Sequence, residues 1–138
     1  MTDTSTSSTR PAAVPYPAPV AAAVRAALDK QAFDVVVLDL RTADGFTDFF
    51  VLCTGANPRQ IEAVADAVAK VLREELGERP GVVEGLKQSE WVLLDYFSFI
   101  VHVFSRDARA YYALDRLWGN AVRHDVGDGV GDGDRVPG

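Results

Sequence analysis

Residues 58–76 form a long amphipathic stretch with its own start and stop signals, set between runs of β-branched residues. Asn57 can accept hydrogen bonds from the first free backbone N–H groups, and Pro58 stands where its missing donor costs nothing. Ile61, Val64, Ala65, Val68, Leu72 and Leu76 recur at helical spacing, and Gly77 supplies a left-handed stop. Asp66, Lys70 and Glu74 fall four apart on the outer face. A helix of this length needs an apolar surface to cover, and the flanking segments provide one.

Those segments read as strands. Asp34–Leu40 and Phe49–Thr54 are β-branched or apolar runs, separated by a segment holding the turn pair Asp44-Gly45, and are expected to form a hairpin. Three more extended pieces follow: Val82–Glu84, Glu90–Asp95 and Phe99–Ser105, the last two close enough for an antiparallel hairpin through Tyr96-Phe97-Ser98. A short helix entered through Pro17 and Pro19 presents Val20, Val24, Ala27 and Leu28 on one face. Asp107 is expected to cap a final helix with Tyr111, Leu114, Leu117 and Trp118 as its apolar stripe, ended by Gly119. The order α-β-β-α-β-β-β-α predicts an α/β (α+β) chain: a mixed five-stranded sheet flanked by helices, not a doubly wound parallel sheet.

Domain limits follow from composition. Residues 1–19, rich in Ser, Thr, Pro and Ala, read as a flexible leader, residues 20–125 as one folded domain, and residues 126–138 as a disordered Gly/Asp tail. The close spacing of Asp128, Asp132 and Asp134 invites a calcium loop, but an EF-hand needs a Glu at its twelfth position and none follows. The chain carries a net charge of −6, and residues 20–125 hold 16 acids against 12 singly scattered bases. That balance gives no general attraction for phosphate, so a basic protein is a better partner than nucleic acid. No apolar stretch approaches the roughly 20 residues that span a membrane. A single cysteine allows neither an internal disulfide nor a Cys-pair metal site. These features lead to the expectation of a cytoplasmic domain.

Familiar chemistry finds little support. Gly55-Ala-Asn-Pro-Arg59 lies between a strand and a helix, but one glycine does not make a dinucleotide fingerprint or a Walker loop. Arg59 could still meet an anion on a partner. His102, His124 and Cys53 stand on different segments without metal-ligand spacing, His124 beyond the last helix. His102 could pair with Asp95 across a hairpin, but no serine has a nucleophile setting, and Cys53 lies in an apolar strand where an inert buried thiol is the default. Asp39-Leu40-Arg41 puts an arginine where a two-metal site would have its second carboxylate. No catalytic residue, metal or cofactor is assigned.

What remains is Glu90-Trp91-Val92-Leu93-Leu94-Asp95-Tyr96. Alternation puts Trp91, Leu93 and Asp95 on one face and Glu90, Val92 and Leu94 on the other. An indole with a carboxylate nearby has the composition of an interface hot spot. It equally suits a tryptophan covering the core beneath the last helix, and periodicity does not choose between the two.

Phe46-Thr-Asp-Phe-Phe-Val51, Thr54-Gly55, Arg59-Gln60, Ala65-Asp66, Val83-Glu-Gly85, Trp91-Val-Leu-Leu-Asp-Tyr96, Val101-His-Val-Phe104 and Leu114-Asp-Arg-Leu-Trp118, in this order, resemble the ribosomal silencing factor family, RsfS or Iojap. The resemblance runs from about Val20 to Trp118. It implies a nucleotidyltransferase-like fold without that superfamily's activity, in agreement with Arg41 in the second-carboxylate position. It also implies binding to large-subunit ribosomal protein L-fourteen and steric blocking of subunit joining, which represses translation under nutrient limitation. The partner-facing positions it implies are Trp91, Asp95 and His102, with Tyr96 and Leu93 as neighbours. Many relatives have a Gly-Asp or similar acidic pair after the tyrosine, where this chain has Phe97-Ser98. The rival reading is a nucleotide-binding enzyme that keeps a nucleotidyltransferase-type pocket beside Gly55 and Arg59; a homodimer through the aromatic patch is compatible with the main one.

Overall fold

The computed structural model describes residues 16–43, 47–85, 90–119 and 121–129. Its elements are α1 (Ala18–Asp29), β1 (Phe33–Asp39), β2 (Phe49–Thr54), α2 (Pro58–Leu76), β3 (Val82–Glu84), β4 (Trp91–Asp95), β5 (Phe99–Phe104), α3 (Arg106–Tyr112), α4 (Leu114–Leu117) and β6 (Val122–Gly127). One mixed sheet runs in the order β3-β4-β5-β2-β1-β6. All pairs are antiparallel except the central β2 and β5, which are parallel. The expected β1–β2 and β4–β5 hairpins are both present; the Asp44-Gly45 turn pair lies outside the described residues.

The sheet has six strands, not five. The sixth, β6, pairs with β1 and contains His124, so this histidine stands on an edge strand. Its exposed, charge-rich sequence Val-Arg-His-Asp-Val-Gly gives little apolar signal, because an edge strand needs backbone pairing more than burial. The fold continues past residue 125: Asp128 Oδ1 accepts from Asp34 N at 3.0 Å, and Gly129 N donates to Ala32 O at 2.7 Å. Asp132 and Asp134, and nearly all of the leader, lie outside the described residues.

The core has two parts. On one face α1 and α2 pack together over β1, β2, β4 and β5, burying Val20, Val24, Ile61, Val64, Val68 and Leu72 against Val37, Val51, Val92 and Val101. β2 and β5 are buried along their whole length, which is why they read as continuous apolar runs. The opposite face gathers Val36, Leu38, Phe50, Leu52, Ile100 and Phe104 beneath α3, with Leu114 and Trp118 packed alongside.

Local signals act as the sequence suggests around α2. Asn57 Oδ1 accepts from Gln60 N at 2.8 Å, and Gly77 closes the helix at φ +68°. Gln60 then reaches back, accepting from Ala56 N and donating to Lys30 O and Gln31 O, which ties the start of α2 to the α1–β1 turn. The final helix departs from expectation. Ser105, not Asp107, caps it, accepting from Ala108 N at 3.0 Å. Ala113 at φ +47° then breaks it into α3 and α4. The break turns Tyr111 and Leu117 outward, 81% and 70% exposed, so the expected apolar stripe survives only as Leu114 and Trp118.

Candidate functional site

Strand β4 carries the candidate site. Its side chains alternate between half-buried Trp91, Leu93 and Asp95 and buried Val92 and Leu94, as period-two spacing requires. The half-buried set lies on the face shared with α3 and α4. Those two short helices shield only part of that face, which leaves Leu93 and Asp95 partly open.

Trp91 sits at the boundary of the covered and open zones. It pairs across the ladder with Phe104, and Leu93 pairs with His102. Its ring centroid lies 4.5 Å from Tyr112, 5.0 Å from Phe104 and 5.8 Å from His102. The indole Nε1–H donates to His102 Nδ1 at 3.0 Å. Trp91 is therefore neither sealed in the core nor loose in solvent. Its orientation is set by three rings and one hydrogen bond, while part of its surface stays open.

Backbone packing adds to this placement. Gly85, leaving β3 at φ +91°, approaches the Trp91 carbonyl so closely that a Cβ there would stand 1.9 Å from its oxygen. Glycine is required both by the left-handed backbone and by this contact. At the far side Ser105 N donates to Glu90 O at 2.8 Å and Ser105 Oγ to Glu90 Oε1 at 2.6 Å, tying the strand's start to the cap of α3.

The five residues expected at the partner surface take three different positions. Trp91, Leu93 and Asp95 share the open face. His102 lies on that face but beneath it, 3% exposed. Burial pushes its pKa down to about 3. With Nδ1 accepting from Trp91, the neutral ring carries its proton on Nε2. That nitrogen has no hydrogen-bond partner among the described residues, and the ring meets Phe50 edge-on at 4.6 Å. His102 is therefore covered by the fold and bonded to the half-buried Trp91, not presented at the surface itself. It is not joined to Asp95, whose Oδ1 instead accepts from Phe97 N at 2.8 Å. Tyr96 turns to the opposite face, stacks on Phe99 at 4.8 Å, and is buried; burial and then Glu78 push its hydroxyl up to about 12. Tyr112, against Trp91, stands outside the stripe expected from the sequence, and Phe97, expected there only as a turn residue and as a departure from the relatives' acidic pair, is 90% exposed. The adjacent aromatic pair Tyr111-Tyr112 was the signal for the first, because only one of two neighbours can face the core.

The features weighed for chemistry are occupied structurally. Asp39 binds Arg41 at 2.7 Å and 2.9 Å, and this hydrogen-bonded guanidinium holds the carboxyl below its usual range. A Cβ on Gly55 would come within 2.8 Å of Ile61 Cγ1, so this glycine serves the close passage of β2 into α2. The Ala56 and Gln60 N–H groups there are already taken by side chains of the same turn. Cys53 is buried, and burial raises its thiol to about 12. Among the described residues, no group of three or more His, Cys, Asp and Glu side chains is placed to hold a metal ion, and no helix is long and apolar enough to cross a membrane.

A family model described as "Ribosomal silencing factor during starvation" matches residues 15–135. The chain belongs to the ribosomal silencing factor family. The ribosomal silencing factor RsfS of Halalkalibacterium halodurans is 42% identical over 99 residues, covering 72% of this chain and 84% of that one. RsfS of Bacillus subtilis is 36% identical over 102 residues, covering 74% and 86%. A crystal structure of a protein from Chromobacterium violaceum superposes with a TM-score of 0.70 at 29% identity, over 84% of this chain and 93% of that chain. The silencing factors are regulatory proteins rather than enzymes. The Gln60 clamp and the Gly85–Trp91 contact give physical roles to two of the motifs on which the resemblance rests.

Proposed function

We propose that this silencing factor docks on the large ribosomal subunit through ribosomal protein L-fourteen and blocks joining of the small subunit by occupying space. The reading places the chain in the cytoplasm, acting when nutrients are short. The observation that carries it is the half-open indole of Trp91, oriented by His102 and Tyr112, with Leu93 and Asp95 beside it on one face. A large flat anchor held in place before contact loses little freedom on binding, and anchors of this kind dominate interface energetics. Asp95 faces a lysine or arginine of the partner, in keeping with the acidic balance of the chain.

The mechanism needs no bond chemistry. A specific interface buries on the order of 1,600 Å² in total, and a rigid domain seated on the joining face excludes the other subunit by volume. Kinship of the sheet with nucleotidyltransferases belongs to the same proposal, with the Asp39–Arg41 pair standing where those enzymes would hold a cation.

Cosedimentation with purified large subunits, followed by a subunit-joining assay, tests the reading. Trp91→Ala is expected to weaken binding some thirtyfold, equivalent to about 2 kcal/mol. Unchanged binding by this variant removes the anchor, and free joining at saturating protein removes the function.

A further inference from the structure

The turn between β4 and β5 holds Phe97 at 90% exposure, the most exposed of the large apolar side chains described. Its backbone lies at φ +77°, a left-handed conformation that favours glycine and is uncommon for a bulky residue. The turn is nevertheless tied down. Phe97 N donates to Asp95 Oδ1 at 2.8 Å, Thr47 Oγ1 donates to Phe97 O at 3.0 Å, and Asp48 N donates to Ser98 O at 3.0 Å. A ring in solvent on a left-handed backbone does nothing for the isolated fold, yet its turn is fixed from both sides.

Beside the ring lies a cleft of about 390 Å³, lined by Thr47, Asp48, Asp95, Phe97, Ser98 and Ile100. Ile100 pairs with Asp95 and belongs to the core on the Trp91 side of the sheet. The cleft thus combines apolar carbon, an aromatic wall and two carboxylates, with no basic residue among the described residues of its lining. Arg41, which feels the charge of Asp48, has its guanidinium on Asp39.

We infer that this cleft receives a lysine or arginine side chain of the protein partner. Its stem lies on Ile100 and the Phe97 ring, and its cationic head lies between Asp48 and Asp95. The inference rests on the proposed docking of the β4 face and adds a second contact near the other end of the strand. Phe97 stands six positions beyond Trp91, at most about 20 Å at the rise of an extended chain, a separation that one standard interface can span. Charge complementarity selects the occupant: a cation gains from both carboxylates and from the ring face, whereas an acidic or purely apolar side chain does not. Fixing the turn in advance lowers the ordering cost of the contact.

The test titrates purified large subunits with the full chain and three variants: Phe97→Gly, Asp48→Asn and Trp91→Ala. Glycine suits the left-handed backbone, so Phe97→Gly is expected to melt no lower than the parent while binding about threefold to tenfold more weakly. Asp48→Asn is expected to weaken binding by a similar factor and to flatten its salt dependence. If both bind like the parent while Trp91→Ala is weakened, the cleft inference is overturned and the docking reading stands. If all three bind like the parent, the docking reading itself fails. A second copy of the chain as occupant would show as a dimer in sedimentation that Phe97→Gly dissociates without any change in subunit binding, and that result also overturns the inference.

Discussion

The Trp91 indole donates to His102 Nδ1 at 3.0 Å, a bond that exists only while the imidazole is neutral. Protonating Nδ1 would abolish the acceptor and place a charge in a site that is 3% exposed. The exposed half of Trp91 is thereby coupled to a buried titratable group.

This coupling predicts an acid limb in the stability curve. Burial pushes His102 down to about 3 in the fold, against about 6.5 in the unfolded chain. Between those values the unfolded state binds more protons, so stability is complete above about pH 6.5 and falls as pH drops, by about 1.4 kcal/mol per unit. Urea unfolding of the parent is expected to lose midpoint steeply from pH 6.5 to 4.5, and His102→Gln more gradually. Trp91 emission should shift with the parent's transition. Superimposable acid limbs for parent and variant would count against the assignment.

Gly85→Ala is expected to displace the Trp91 backbone, because the new Cβ would fall 1.9 Å from its carbonyl oxygen and the residue would sit strained at φ +91°. The cost should reach about 2 kcal/mol or more. A loss of subunit binding larger than the shift in melting temperature explains would mark Trp91 as the group disturbed.

Arg109 joins four parts of the molecule. Its guanidinium donates to Asp115 at 2.9 and 3.2 Å, to Thr54 Oγ1 at 2.9 Å and to Asp34 O at 2.9 Å. Burial works against the Asp115 charge, yet the Arg109 hydrogen bond and charge win and hold that carboxyl below its usual range. Arg109→Ala leaves the carboxylate and two oxygens without this donor. It should cost about 2–4 kcal/mol by denaturant unfolding, and Arg109→Lys nearly as much, since an ammonium cannot reproduce the planar fork.

Gln60→Ala removes the link between the α1–β1 turn and the start of α2. About 1–2 kcal/mol is expected, with faster amide exchange at Ala56 in the variant as the local readout. Asn57→Ala should cost about 1 kcal/mol through loss of the cap alone.

The neutral Gln60 clamp and the exposed Phe97 show where sequence reading stops. A cap, a proline at a helix start and a glycine stop act within a few residues, so α2 was legible from Asn57 to Gly77. Alternation along β4 likewise announced which side chains share a face. Composition allows both Ser105 and Asp107 as caps, and hydrogen-bond geometry selects the serine; the break at Ala113 ends the single helical period on which the expected stripe depended, and Tyr112 lies against Trp91.

Periodicity, local capping chemistry and ordered motifs determined the family, five of the six strands and the sharing of one face by Trp91, Leu93 and Asp95; that this face is partly open was decided by the tertiary structure. Only the tertiary structure decided that β6 joins β1, that His102 is buried beneath the indole, that Tyr96 turns to the opposite core, and that Phe97 is held in solvent. Local preferences are encoded by neighbours in the chain. Burial, edge pairing and hydrogen bonds across the sheet depend on residues brought together from distant positions, and a single sequence does not state those distances.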